Sequence, residues 1–336
     1  VRTEKELLIA TKPFASENKL RSWLELVLTL SLLATTLTVA VTNQLWFARL
    51  GASLISGLLI VRIFIFYHDF QHGAILTGSR LAKFLMDTYG LLVLSPPSVW
   101  NRSHDHHHKH NSKDLLSSMG SFPTMSKRQY QKASLLERTA YYWSRHPLNI
   151  VCGYLTIFMF GMCVRAIHTN VRTHKDAVFA LILHIRIAGT LGFIGLDELF
   201  FGMTLPLIVA CGAGSYLFYA QHNFPSCQLD AREDWSHAGA ALKSSSYLKM
   251  SRLMNWFTGN IGYHHIHHLN AKIPFYRLPE AMAALPELQK PESITLSVRD
   301  IVGCFHSNIW DVEAKKLISF RQAEASFGIQ PPSALG

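Results

Sequence analysis

Four stretches of the chain are apolar over lengths that polar residues hardly interrupt: 24–41, 45–67, 177–196 and 199–219. About 20 such residues carry a helix across a bilayer core. Each stretch therefore predicts a membrane-spanning helix, and the brief connections 42–44 and 197–198 join them into two hairpins. A fifth stretch, 148–164, is shorter and starts just after a proline. It predicts a segment that lies in the membrane interface or re-enters, because a full crossing would put the polar ends of the two hairpins on opposite sides. The segment before the first run mixes acids and bases, and no small-residue cleavage site follows that run. This is unlike a cleaved signal peptide, so the run is expected to stay in the mature protein.

The same pattern divides the chain into an N-terminal segment (1–22), a hairpin (23–67), a polar stretch (68–176), a second hairpin (177–220), a second polar stretch (221–290) and a tail (291–336) whose residues carry no usable motif. The predicted fold is an all-α integral membrane protein, four transmembrane helices under a helical cap. Two arginines strain it. Arg186 falls in the middle of the third run, where a lipid-facing cation costs at least about 2.5–3.5 kcal/mol, so it is expected to face the bundle interior unless the run is shifted. Arg62 sits near the end of the second run, within snorkelling reach of the interface.

Composition agrees with lipid: 16% of residues are charged, 49% are hydrophobic, and the mean hydropathy is +0.15. The two tiny connections hold no Lys or Arg, whereas the N-terminal segment, both polar stretches and the tail are rich in both. By the positive-inside rule the connections face out and the cap is cytoplasmic, as in a bacterial inner membrane. The net charge of +10 then reads as basic surface against anionic lipid, and no nucleic-acid-reading module accompanies it. The five cysteines lack CxxC spacing and read as packing residues.

The candidate chemistry is imidazole. Of 18 histidines, most fall in a few groups: HDFQH (His68, His72), HDHHHKH (104–110), His222 in AQHNF, and GYHHIHHLN (His264, His265, His267, His268). The topology puts all of them at one membrane face. Residues three and four apart share a helix face, so His68 and His72 pair. His104, His107 and His108 fall within one arc, with Ser103 as the expected N-cap of that turn, and His264, His267 and His268 repeat the pattern. Spacing equally allows His106, His107 and His110, and His264, His265 and His268, so two candidate sets stand. The isolated histidines 146, 168, 174, 184, 237 and 306 read as structural.

These groups, with QH at the end of the last membrane run and the sequel IPFYRL, resemble the three histidine boxes of the membrane fatty acid desaturases over residues 60–280, most closely the bacterial and plastid acyl-lipid branch. The resemblance implies that HxxxH, HxxHH and HxxHH map onto His68 and His72, onto His104, His107 and His108, and onto His264, His267 and His268. His222 is the additional ligand, and His106, His110 and His265 are spare. It also implies two iron ions, dioxygen as co-substrate, and a membrane acyl chain as substrate, with an omega-6 or delta-12-like double bond as the expected product. Nine histidines exceed the four that close a structural zinc site, in keeping with two ions. Asp69 and Asp105 each adjoin a box histidine and are candidates to fix its tautomer.

The chain has no His-Pro-Gly-Gly haem motif, no GxGxxG and no cysteine cluster for iron and sulfur. Electrons are therefore expected from another protein, a ferredoxin or a b-type cytochrome. The acyl tail is expected between the hairpins, along IFIFY (63–67) and YLFYA (216–220), with the small residues of CGAG (211–214) alongside. Neighbouring readings are a related di-iron hydroxylase, ketolase or alkane hydroxylase. A histidine-rich metal-ion transporter would need ligands near the bilayer midplane, where only His184 and Arg186 are available.

Overall fold

The computed structural model describes residues 2–113, 122–231 and 233–327. Helix α1 (Glu4–Thr11) is closed by a capping box between Thr3 and Glu6. The first hairpin is α2 (Lys19–Thr42), N-capped by the Asn18 side chain, and α3 (Trp46–Gln71). After it come α4 (Arg80–Leu92) and α5 (Pro97–His110). Three short helices follow, α6 (Lys127–Lys132), α7 (Leu135–Arg145) and α8 (Pro147–Val151). A π-helical segment, Tyr154–Val164, then runs into α9 (Arg165–Asn170).

The second hairpin is α10 (Lys175–Ile194) and a return helix that starts as α11 (Leu196–Leu199), passes a π turn at Phe200–Thr204 and continues as α12 (Leu205–Ala220). Beyond it lie α13 (His237–Lys243), α14 (Arg252–Phe257), α15 (His264–Leu269), α16 (Leu278–Ala284), α17 (Val298–His306) and α18 (Phe320–Ala325). Four helices are thus long and apolar enough to cross a membrane, Lys19–Thr42, Trp46–Gln71, Lys175–Ile194 and Leu196–Ala220, in two hairpins beneath a polar cap.

The hairpins are locked together away from the histidines by a buried cation. Arg49 donates to the Ala40 carbonyl (2.8 Å) and to Glu198 (3.1 Å), with Asp197 3.5 Å away. Ser53 reaches the Phe201 carbonyl at 2.7 Å. Along the same seam Gly57 lets α3 and α12 touch. A Cβ there would stand 2.6 Å from that of Val209 and 2.9 Å from the Pro206 carbonyl, so only glycine fits.

Both arginine expectations are corrected. Arg62 does not snorkel: it is 2% exposed, donates to Glu25 (2.7 Å), Thr29 (3.1 Å) and the Trp256 carbonyl, and lies over the Trp256 ring. Its partner, on α2, is too far away in sequence to be read from local spacing. Arg186 faces outward although α10 spans the run without shift, because the inward stripe of that helix is Ala177, Ala180 and His184. Ser103 is not an N-cap either. Pro97 occupies the first turn of α5, where a missing N–H costs nothing, and Ser103 bonds back to the Trp100 carbonyl in mid-helix.

The segment 148–164 is α8 followed by the π-helix, with Leu148, Val151, Leu155, Phe160 and Val164 exposed on one side. Tyr154 ties it to α10 through His184, 2.5 Å away. The cysteines are free, and all but Cys152 are buried. The tail is ordered onto the cap: Ile309–Asp311 pairs in parallel with Met125–Ser126 and antiparallel with Lys316–Ile318. Buried Arg145 holds this region to α12 through Asn223 (2.6 Å). The end of the tail, 328–336 with its PPSALG, lies outside the described residues.

Candidate metal centre

Four pieces of the chain bring histidines to one place: the last turn of α3, the second half of α5, the turn after α12, and α15. On α5 the burial alternates as a helix requires, with His104, His107 and His108 buried and Asp105 and Lys109 exposed. Helix α15 is buried at every position from His264 to Leu269. The nine imidazoles form two groups. His68, His72, His104, His108 and His267 make one, and His107, His222, His264 and His268 the other, with the facing ring nitrogens of each group within 4.8 Å of one another.

Distances inside the groups are short and uniform. In the first, Nε2 atoms are separated by 2.9 Å (His72 to His104), 3.2 Å (His104 to His108) and 3.0 Å (His108 to His267). In the second, His107, His222, His264 and His268 close a ring of 3.0, 2.9, 3.1 and 3.2 Å. For a metal–imidazole bond of about 2.1 Å, two ligands at a right angle stand about 3.0 Å apart and two at the tetrahedral angle about 3.4 Å. The observed spacing is close to that of right-angled edges, so each donor set is compact enough to surround one ion. The groups touch where the rings of His108 and His268 stack at 4.3 Å.

Electrostatics suit ligation as well. Burial holds His104, His107, His108, His264, His267 and His268 well below the ordinary imidazole range, and the crowding of neighbouring imidazoles adds to it. Burial likewise pushes His222 down to about 4, partly offset by the Ser244 carbonyl. Neutral rings keep the lone pair that a metal needs.

Outside the groups, the two aspartates differ. Asp69 is buried, 3.0 Å from His68 Nδ1, and its other oxygen accepts from the Phe275 N–H at 2.7 Å. Asp105, in contrast, is exposed on the far side of α5, and no contact with a histidine is found for it among the described residues; the tautomer-fixing role expected of it is withdrawn. A partner that sequence reasoning missed is the Ser244 carbonyl, 3.0 Å from His222 Nδ1. A backbone oxygen leaves no signal in residue identity.

The competing histidine set is pulled away. His106 and His110 stack on each other at 4.2 Å, and His110 Nδ1 turns to the His106 carbonyl. His265 is buried, but its Nε2 faces the Leu288 carbonyl at 3.2 Å. Two of the isolated histidines are held structurally: His174 meets Ser98 (2.8 Å) and His237 faces the Leu269 carbonyl (3.3 Å).

An apolar cavity of about 570 Å³ leads from this cluster into the helix bundle between α3, α12 and the π-helical segment. His68, His104 and His264 stand at its wall, with Phe64 and Leu217 beyond them. The expected channel residues are therefore only partly used. Phe64, Ile65, Leu217 and Phe218 line it, while Tyr219 packs edge-on against Phe122. In CGAG, Cys211 and Gly214 face the cavity and Gly212 abuts the Val151 carbonyl.

Together the two hairpins, the two buried imidazole groups that could hold metal and the adjoining apolar cavity define the class: a helical protein with four candidate membrane spans and a histidine cluster beside an apolar cavity. Residues 44–299 match the family model for fatty acid desaturase. Over 274 residues, covering 81% of this chain and 77% of the relative, the chain is 29% identical to a fatty acid desaturase of Bacillus subtilis (strain 168). The chain belongs to the fatty acid desaturase family, and it is an enzyme of that kind.

Proposed function

We propose that the protein inserts a double bond into a membrane acyl chain using dioxygen, a pair of iron ions and electrons from a separate ferredoxin or b-type cytochrome. The observation that carries this reading is the junction of the two imidazole groups with the apolar cavity. One ion would be held by His68, His72, His104, His108 and His267, the other by His107, His222, His264 and His268. Imidazole accepts iron, zinc, copper and nickel alike; nine histidines, more than a closed zinc site uses, and membership of the desaturase family support iron. When bound, the irons would pass electrons to dioxygen and so make the oxidant that removing hydrogen from an unactivated methylene demands.

The chain's own residues do the rest. Asp69 accepts from His68 Nδ1–H and so leaves Nε2 unprotonated toward the cluster; Ser244 does the same for His222. Phe64, Ile65, Leu217 and Phe218 hold the chain in a dry channel beside the histidines and exclude water from it. The histidine cap faces the cytoplasm of a bacterial inner membrane, the side its Lys and Arg content favours. A cysteine placed at Asn43 should then react with an impermeant reagent from outside, and one at Ser226 should not.

For the position of the bond, the box sequel IPFYRL supports an omega-6 or delta-12-like product. Cavity depth favours a bond nearer the middle of the chain: lining residues on α3 extend from His68 to Ile60, about 12 Å of helix. The deciding experiment is expression in a host that makes saturated and monounsaturated lipids and supplies ferredoxin, followed by gas chromatography and mass spectrometry of its fatty acids. A new unsaturated acid that requires oxygen and intact His108 is expected. A hydroxylated or ketonic acid as main product would place the enzyme with the hydroxylases and ketolases, and an unchanged profile in iron-loaded, electron-supplied cells would refute an acyl substrate.

A further inference from the structure

Two glycines, one in the cavity wall and one beneath it, differ in what an added side chain would meet. Gly57 is filled by its neighbours, and the contact it permits with Val209 and Pro206 brings α3 against α12. Cavity lining ends just above that contact, at Ile60 on α3 and Ala210 on α12, and the Ile60 carbonyl is itself tied to the Tyr89 hydroxyl at 2.7 Å. Below that level α3 and α12 are in contact at Gly57, and the Tyr89 hydrogen bond holds the backbone beside it. Gly214 also lines the cavity, but a Cβ built there meets nothing within 4 Å. Glycine in a helix interior is less stable than alanine, and no packing contact at Gly214 requires it.

We propose that the closed floor stops the methyl end of the acyl chain, that the enzyme accordingly places its double bond by counting from that end, and that Gly214 is the specificity residue that keeps the lowest part of the channel open. This rests on the desaturase reading. Gly214 lies four residues above Ala210, about 6 Å along the helix. An extended hydrocarbon advances about 1.25 Å per carbon, from a bond of about 1.5 Å and an angle of about 111°. The channel below Gly214 thus holds four or five carbons. A leucine at this position points its branched end into that space and halts the methyl group higher up, so the oxidised carbon moves toward the methyl end by about four carbons.

The test compares the wild type with Gly214→Ala and Gly214→Leu in the lipid-profiling host, supplied with acyl chains that increase in length by even steps. In the wild type the distance from the new double bond to the methyl end should stay constant as the chain lengthens. The Gly214→Leu enzyme should form its bond about four carbons nearer the methyl end and lose the longest chains accepted by the wild type, with Gly214→Ala between the two. Both variants gain helix propensity at an open position, so they are expected to fold. A wild-type bond that keeps a constant distance from the carboxyl end, or a Gly214→Leu enzyme with wild-type positions and only a lower rate, would overturn the proposal.

Thermal stabilisation of the purified proteins by the same chains reads the length limit without turnover. Wild-type protein stabilised increasingly up to a limit that Gly214→Leu shortens by about four carbons supports the closed channel even where no unsaturated product forms, and the same limit in both proteins counts against it. Failure of the desaturase reading and failure of the channel inference are thereby separated.

Discussion

Replacing Asp69 with asparagine asks one residue to do with a single acceptor what it now does with two. Its carboxylate takes one hydrogen bond from His68 Nδ1 and another from the Phe275 N–H, both buried. Asparagine has one carbonyl oxygen and an NH₂ group that only donates. If the oxygen stays with Phe275, the NH₂ faces His68 Nδ1, drives the ring proton to Nε2 and removes the lone pair aimed at the cluster. If it turns to His68, the Phe275 N–H is orphaned. A buried donor left unsatisfied costs about 1–3 kcal/mol, and loss of a carboxylate behind a metal-binding histidine costs about 10–100-fold in metal affinity. Asp69→Asn should therefore lose iron to a calibrated chelator at least about tenfold more readily than wild type, and Asp69→Leu, which orphans both donors, should lose more. The assay is chelator competition on anaerobically purified protein, with thermal unfolding alongside. Wild-type iron affinity in Asp69→Asn would refute the reasoning.

Three further outcomes are expected. Elemental analysis should find about two irons per chain, the number that two groups of four and five ligands allow; His107→Ala or His267→Ala should lose metal and activity, whereas His106→Ala and His265→Ala should keep the metal. One tightly held zinc and no iron would contradict this. Glu25→Gln leaves Arg62 buried without its carboxylate, which should cost about 3 kcal/mol, the low end for a broken buried pair because Glu25 keeps some contact with solvent, and lower the thermal midpoint; an unchanged midpoint would show that the Trp256 carbonyl and ring suffice. Asp311 is held below the usual carboxylate range chiefly by the Ala314 N–H, with Lys127 assisting, so its contribution is present at neutral pH and fades as pH falls through and below the ordinary aspartate value of about 4. Asp311→Asn should accordingly show a shallower acid loss of stability, and identical acid profiles would exclude the contribution.

What could be read from sequence was whatever depends on local period. The four apolar runs coincide with four long helices because bilayer thickness fixes helix length. The box histidines were found because neighbours on one helix face repeat at three and four residues. Spacing alone could not choose between His104, His107 and His108 and the rival His106, His107 and His110. The resemblance chose, and the structure shows a physical basis: the first set lies on the buried face of α5, while His106 and His110 turn to each other. Long-range partners were illegible. Arg62 with Glu25, Arg49 with Glu198 and Asp69 with Phe275 join positions whose relation exists only after the hairpins dock. Ser103 misled because it is a good capping residue, whereas Pro97, a better first residue, had already opened the helix.

The sorting of histidines between the two groups has a mechanical consequence. Helix α5 gives His104 and His108 to one group and His107 to the other, and α15 gives His267 to the first and His264 and His268 to the second. Neither group can be assembled by itself, since the rotation of α5 and α15 that brings one set of nitrogens together also brings the other. On the proposed di-iron reading, an ion seated in either group would hold both helices and, through them, the nitrogens of the other group. A change that turns either helix should therefore disturb both groups at once.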